Sequence, residues 1–476
     1  MDWITAALSL CGYLITLALI PSILLKKNRH PISTVSWILT IILLPGLGGI
    51  TYLFFGINRV QRRSLSKEKA NQSLAPKLPQ IVQNQLLSSE DYLPLNQNLM
   101  RLAQNIGHTV PTFGNHVELL TDTNRTLGLI KQAILNAEHS LHLEYYIWQP
   151  DQSGTLLRDL LIEKARAGVE VRFLYDGLGS FGLGKHFFKP MREAGIQIAP
   201  FLPGASIRER WSINLRNHRK IVIVDGKMAF TGGMNIGDEY LGLNQDLGFW
   251  RDTHLKIEGP ETLQLQQVFA EDWFFATGEA LTQQKYYPHP DPTGTITAQT
   301  LLSGPEKNAD VFLTLMFAAI NEARHSIVLT TSYFVPPESL TTALESAARR
   351  GVHVRLLLSS KSANPATVHA GRSYYDSLLD ADVEIFEYTK GILHSKTLTI
   401  DDSWSLVGTP NFDFRSLILN FEVGLALYNR KFAQRLRESI EQDFLTAIKI
   451  THTDWDKRSK PTILLQNLCR LFAPVM

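Results

Sequence analysis

Between about residues 111 and 450 the apolar and polar positions of this chain fall into rhythms that occur twice. TLLRDLLIEKARAG (155–168) and SLTTALESAARRG (339–351) carry apolar residues at helical spacing and close on glycine, which predicts two amphipathic helices with glycine stops. AGVEVRFLYDG (167–177) and RGVHVRLLLSS (350–360) continue into strands of the parallel type. Upstream, AILNAEHSLHLEYYIW (133–148) and AAINEARHSIVLTTSYF (318–334) each predict a helix followed by an apolar strand. Downstream, HRKIVIVDGKMAFTGGMN (218–235) predicts a hairpin, with IVIV as a β-branched run, Asp-Gly as the turn and MAF opening the return strand. HSKTLTIDDSWSLVGTPN (394–411) repeats the arrangement.

Each half therefore reads helix–strand–helix–strand–hairpin, an α/β pattern with a mixed sheet flanked by helices. A repeat of this length in matching order predicts an ancestral duplication, with halves at 111–285 and 286–476. The break falls in YYPHPDPTGTITAQ (286–299).

The first 58 residues follow another pattern. Stretches 3–25 and 35–57 contain no charged side chain, and each is long enough at ~1.5 Å per residue to cross a hydrocarbon core of roughly 30 Å. They predict a two-helix transmembrane hairpin, with Pro45, Gly46, Gly48 and Gly49 favouring a kink or re-entrant shape in the second helix. A buried pair of core helices is the alternative. Lys26, Lys27 and Arg29 lie between the stretches; Arg59, Arg62, Arg63, Lys67 and Lys69 follow them, so the positive-inside rule favours a cytoplasmic main body. Residues 59–110, rich in Gln, Asn and Ser from 64 onward, read as a linker with some helix.

Composition adds little. The 476 residues carry a formal net charge of +2 and no basic stripe, which counts against nucleic acid as a partner. Cys11 and Cys469 provide no disulfide framework. No cluster of His, Cys or carboxylates suggests zinc.

The candidate chemistry lies at the hairpin starts. Residues i and i+2 of a strand share a face, so His218 pairs with Lys220 and His394 with Lys396. If both strands face one seam, two imidazoles and two ammoniums converge, and an anion such as phosphate is the natural guest. Asn235 and Asn411 end the glycine-containing returns and are candidates for donating to its oxygens, the small residues there allowing close backbone approach. Asp225 and Asp401 sit at the turns on the opposite face; turn formation through Asx bonding is their expected contribution, ahead of proton transfer. Asp252 and Glu422, on the strand after each hairpin, are candidates for fixing the imidazole tautomers. Tyr145, Tyr146 and Trp148, with Ser332, Tyr333 and Phe334, read as core, with lining of a lipid groove the alternative. Arg216 and Arg415 read either as ion-pair partners or as holders of a second phosphate. The apolar tail 461–476 reads either as an interfacial helix presenting Leu464, Leu465, Leu468 and Phe472 to lipid or as a helix packed on the core.

The twofold H-x-K-x4-D-x6-G-[GT]-x-N constellation resembles the paired HKD signature of the phospholipase D superfamily. Within it, EYYIW (144–148), NHRKIVIVDG (217–226), FWRDTHLKIEGP (249–260), LHSKTLTIDD (393–402) and NFDFRS (411–416) are similar to bacterial cardiolipin synthases. The resemblance implies a catalytic set of His218, Lys220, Asp225, His394, Lys396 and Asp401, without metal or cofactor. It implies phosphatidyl transfer between two phosphatidylglycerol molecules through a phosphohistidine, with the first motif's histidine favoured as nucleophile. It also implies residence in the bacterial inner membrane. A phospholipase D-type hydrolase, another phosphatidyltransferase, a tethered nuclease and a non-catalytic binding protein are the alternatives; oligomeric state is left open.

Overall fold

The computed structural model describes residues 18–25, 31–44, 46–52, 60–79, 92–202, 215–243, 248–289, 291–305 and 310–472. They fall into two compact units, 1–63 and 64–476. In the first, helices Leu19–Leu24, Pro31–Leu43 and Leu47–Thr51 bury Ile23, Ile41 and Tyr52, and Trp37 meets Tyr52 edge-on at 5.5 Å. The second apolar stretch is thus interrupted after Leu43. Gly48 lets the next helix fold back, since a Cβ there would come within 2.3 Å of the Thr40 carbonyl oxygen. Among the described residues no helix is long and apolar enough to cross a membrane. Residues 3–17, Pro45 and residues 53–57 of the expected spans lie outside the described residues.

The second unit is built on strands β1 (Thr112–Leu120), β2 (Ser140–Tyr145), β3 (Glu170–Tyr175), β4 (Gln197–Pro200), β5 (Ile221–Val224), β6 (Met228–Gly232), β7 (Phe249–Arg251) and β8 (His254–Glu258). The second half supplies β9 (Ile296–Ser303), β10 (Ser326–Thr331), β11 (Phe334–Val335), β12 (His353–Ser359), β13 (Glu384–Tyr388), β14 (Gly391–Leu393) and β15 (Thr397–Ile400). It ends with β16 (Trp404–Gly408), β17 (Phe412–Asp413), β18 (Glu422–Leu427) and β19 (Ala447–Ile450).

Fifteen of these strands form one sheet, ordered β19-β13-β12-β10-β15-β16-β18-β9-β1-β8-β6-β5-β2-β3-β4. Read outward from the antiparallel β9–β1 join, the two sides carry the same elements in the same order: β18 matches β8, β16 and β15 match β6 and β5, and β10, β12 and β13 match β2, β3 and β4. The duplication is therefore one continuous mixed sheet, where the pattern alone suggested one sheet per half.

The predicted elements form for the predicted reasons. The helices Gln152–Arg166 and Glu338–Arg349 are followed by Gly168 and Gly351 at φ 97° and 88°, values open to glycine at no cost. Asp225 and Gly226 hold φ of 54° and 65°, and Asp401 and Asp402 hold 49° and 48°, so both hairpins turn through successive left-handed residues. Aspartate is among the few side chains that tolerate that region.

The linker expected over 59–110 needs correcting. Helix Pro94–Gly107 buries Leu99 and Ala103 in the second half's core beside Phe312 and Leu315. Leu95, Leu99, Leu102, Ala103 and Ile106 repeat at helical spacing, a signal masked by the polar residues between them. Helix Val60–Leu74 brings Lys67, only 2% exposed, to Asp272 at 2.8 Å.

Candidate active site

The two motif strands meet neighbours from the opposite half. Asn217 bridges in parallel to Phe421, the His218 N–H donates to the Phe421 carbonyl at 2.9 Å, and the Phe421 N–H returns to Arg216 at 2.8 Å. In the other half β14 pairs in parallel with β7, and the His394 N–H donates to the Arg251 carbonyl at 2.7 Å. Each histidine is thus fixed on a strand clasped by the other repeat.

The side chains cross in the same way. His218 Nδ1 lies 2.8 Å from Glu422 Oε2 of the second half, and His394 Nδ1 lies 2.6 Å from Asp252 Oδ2 of the first. The sequence named both carboxylates without partners; the tertiary structure gives each histidine the carboxylate of the other half. Thr409 Oγ1 donates to Glu422 Oε2 at 2.5 Å, Asn420 donates to its other oxygen at 3.2 Å, and the Thr253 N–H donates to Asp252 Oδ1 at 2.7 Å. Lys220 Nζ donates to the His218 carbonyl at 2.6 Å, and Lys396 repeats that bond on His394 while reaching Ser332 Oγ at 2.9 Å. Lys396 is close enough to Lys220 to disfavour its charge, and both lysines feel Asp252 and Glu422.

A model of the family described as "Cardiolipin synthase, PLD-like domain" matches residues 130–273 and 316–444, once in each half around these crossed pairs. The chain belongs to that family. A second model, "Phospholipase_D-nuclease N-terminal", matches residues 14–56. Relatives include a cardiolipin synthase of Halalkalibacterium halodurans, 37% identical over all of this chain and 95% of its own. Cardiolipin synthase 2 of Bacillus cereus is 38% identical over 96% of this chain and 90% of its own. Among solved structures, phosphatidylserine synthase of Haemophilus influenzae superposes with a TM-score of 0.60 at 15% identity, covering 79% of this chain and 98% of its own, a likeness of fold.

In this member of the cardiolipin synthase family the motif aspartates stand apart from the imidazoles. Seven residues of largely extended chain, at about 3.3 Å each, separate Asp225 from His218. Its carboxylate accepts the N–H groups of Glu138, His139 and Ser140 at 2.9, 2.7 and 2.8 Å. Asp401 accepts those of Arg324, His325 and Ser326 at 2.9, 2.8 and 2.8 Å. Grouping them with the catalytic residues is corrected accordingly, as is the expected Asx bond: each aspartate pins a hairpin tip to the helix–strand junction beside it.

The small residues after the hairpins also have a different use. A Cβ on Gly233 would come within 2.1 Å of Asp252 Oδ1, and one on Gly408 within 2.5 Å of Gly424 Cα, so what approaches is the neighbouring strand and its carboxylate. Asn235 accepts from the Ile147 N–H at 3.2 Å and donates to the Tyr240 hydroxyl at 2.8 Å. Asn411 is buried, with Oδ1 lacking a hydrogen-bond partner.

Tyr145, Trp148 and Phe334 are core residues, all below 4% exposed. Tyr146 belongs to the site: its ring meets His218 edge-on at 4.8 Å, and Lys220 Nζ lies 5.2 Å from its centre. Tyr240 and Trp250, which the sequence reading passed over, place their rings 5.9 and 5.2 Å from His394. Their only signal was proximity to Asn235 and Asp252.

Burial drives the titration of the site. It lowers both catalytic-motif histidines to about 4, with the nearby lysines adding to the effect and the carboxylates opposing it. Both rings are therefore neutral at pH 7, and with Nδ1 turned to a carboxylate each keeps Nε2 as its unshared nitrogen. Burial alone would raise Glu422 and Asp252, yet the histidines and lysines beside them hold both below the usual carboxylate range. Lys396 is pushed down to about 8, chiefly by burial.

An acid-sensitive contribution to stability follows. Burial also holds His142 and His254 at about 4. Between pH 6.5 and 4 the unfolded chain binds protons that these four native imidazoles refuse, so their contribution falls as pH drops through that window. Glu261, raised to about 7, and Asp413, raised to about 6, act oppositely: their contributions fade as pH rises. Burial raises Glu144, Asp176, Glu239 and Asp443 in that same opposing sense, so the imidazole contribution is read by difference. The urea midpoint of His142→Gln is expected to fall less, or rise more, between pH 6.5 and 4.5 than that of the wild-type protein, and an equal or larger fall refutes this.

Proposed function

We propose that this protein is a cardiolipin synthase that transfers a phosphatidyl group from one phosphatidylglycerol to another. The crossed His–carboxylate pairs carry the reading: two neutral imidazoles of fixed tautomer, flanked by two lysines, suit one phosphodiester. On binding, the negative charge of the phosphodiester favours a proton on one imidazole.

In the first step His218 Nε2 attacks phosphorus, the phosphorus–oxygen bond to glycerol breaks, and His394 gives its Nε2 proton to the departing oxygen. In the second, the hydroxyl of another phosphatidylglycerol gives its proton to His394 and attacks phosphorus. The phosphorus–nitrogen bond breaks, restoring neutral His218. Lys220, Lys396, Asn235 and Asn411 steady the charge on the non-bridging oxygens. Glu422 and Asp252 hold the rings and share the positive charge as it forms. Attack by His218 follows the family resemblance.

Lipid supply fits a membrane setting. The unit of residues 1–63 exposes Leu24, Leu25, Leu39, Ile42, Leu43 and Ile50. In the second unit, helix Lys460–Leu471 and its cap leave Leu464, Leu468, Leu471 and Phe472 exposed while Gln466 is buried against Arg458 at 2.8 Å. We assign both apolar faces to lipid, with the body on the cytoplasmic side as the flanking lysines and arginines favour.

Purified protein with radiolabelled phosphatidylglycerol tests the reading. Cardiolipin and free glycerol should appear in equal amounts, and with a labelled p-nitrophenyl phosphatidyl ester, whose leaving group needs no acid, a phosphohistidine quenched in alkali should form in His394→Ala and be absent from His218→Ala. Phosphatidic acid as sole product refutes transfer; label retained in His218→Ala reverses the assignment of the two histidines.

A further inference from the structure

Beside the second motif lies a cleft of about 320 Å³, inside the range of roughly 300–1,000 Å³ in which small-ligand sites fall. One wall is Ile392, two residues before His394 on β14. Another is Ser362, whose side chain meets the Tyr333 hydroxyl. Ser359, next to the cleft wall at Ser360, accepts the N–H of Leu393, the residue before His394, at 3.1 Å. The cleft therefore adjoins the His394 side of the site.

Among the described residues no acidic side chain lines it. Lys361 is exposed there and forms no ion pair among the described residues. His369, on the helix Pro365–Arg372, has an Nδ1 that is buried and without a hydrogen-bond partner. Arg372 is already neutralised, its guanidinium held by both oxygens of Glu387 at 2.8 and 2.6 Å. An uncompensated ammonium, the His369 side chain and the Ser360 and Ser362 hydroxyls, set against the apolar Ile392, suit an anionic polyol ester.

Transfer chemistry demands such a ligand close by. The acceptor's own phosphate is joined to its attacking hydroxyl through three carbons, so four bonds of about 1.5 Å separate the two oxygens. A second phosphodiester must therefore sit roughly 5 Å from the hydroxyl that His394 deprotonates, and the paired motif lysines are committed to the first.

We propose that this cleft is the acceptor subsite, holding the phosphoglycerol of the second phosphatidylglycerol with Lys361 and His369 at its phosphate and presenting its hydroxyl to His394. The proposal rests on the transfer reaction above and specifies where its second substrate binds.

The test separates the two half-reactions of the full-length protein in mixed micelles of phosphatidylglycerol. Loss of a charge-assisted bond is expected to cost about tenfold or more. Lys361→Ala should lower steady-state cardiolipin formation by that factor, partly recovered at higher phosphatidylglycerol, and His369→Gln should lower it further. The single-turnover release of one glycerol per protein should stay within about twofold of wild type, and Lys361→Arg should keep most of the activity. Burst and steady state falling together, or neither changing, overturns the subsite. Wild-type protein that releases glycerol yet makes only phosphatidic acid removes the transfer reaction itself, a different failure.

Discussion

Alanine at His218 or at His394 is expected to lower cardiolipin formation by about 10³-fold or more, because nucleophile and proton carrier act as one unit. The crossed geometry adds a sharper expectation. Glu422→Gln keeps the shape beside His218 but no longer favours a proton on Nδ1, and Asp252→Asn does the same to His394. Where a buried carboxylate fixes a catalytic imidazole, such a change costs up to about 10⁴-fold. Glu422→Gln should therefore suppress the phosphohistidine on His218, although Glu422 lies in the other repeat. Asp252→Asn should leave that adduct forming only with a donor whose leaving group needs little protonation, such as a p-nitrophenyl ester. If Glu422→Gln instead spares adduct formation while Asp252→Asn abolishes it with the activated donor, the crossed assignment fails. Rapid-quench measurement of adduct and product on the four variants decides it.

The largest loss of stability is expected at Asp272, on helix Glu261–Thr277, which touches no substrate. It pairs with Lys67 at 2.8 Å and with Arg219, and the side chains of all three are no more than 3% exposed. Burial would raise the Asp272 pKa, but the two cations hold it at about 2. Glu144, hydrogen-bonded to Asn217 at 2.5 Å, is pushed well above the usual carboxylate range by burial and then by Asp272. Asp272→Ala removes the carboxylate that two buried cations share, which costs about 3–5 kcal/mol. Lys67→Met on top of Asp272→Ala removes one stranded charge and should recover part of the loss, a non-additivity visible in a double-mutant cycle. Thermal unfolding followed by circular dichroism provides the numbers; additive losses would refute the pairing. Arg219 lies between His218 and Lys220 on the opposite strand face, so this cluster also supports the catalytic strand from behind.

The sequence by itself determined the duplication, the order of elements in each half, the hairpin turns and the identity of the imidazoles, lysines and supporting carboxylates. These follow from short-range rules: a period of two on strands, helical spacing with glycine stops, and left-handed turn positions at aspartate. The tertiary structure alone decided who pairs with whom. Nothing local tells His218 to choose Glu422 over Asp252, because the choice depends on where the β9–β1 join places one repeat against the other. The same holds for Asp225 and Asp401, whose carboxylates find backbone donors 85 and 75 residues away in chain order, respectively, or farther. It holds as well for Lys67, which polar composition assigned to a linker and a buried aspartate two hundred residues downstream drew into the core. Periodicity reports a residue's face; only the closed fold supplies what that face meets.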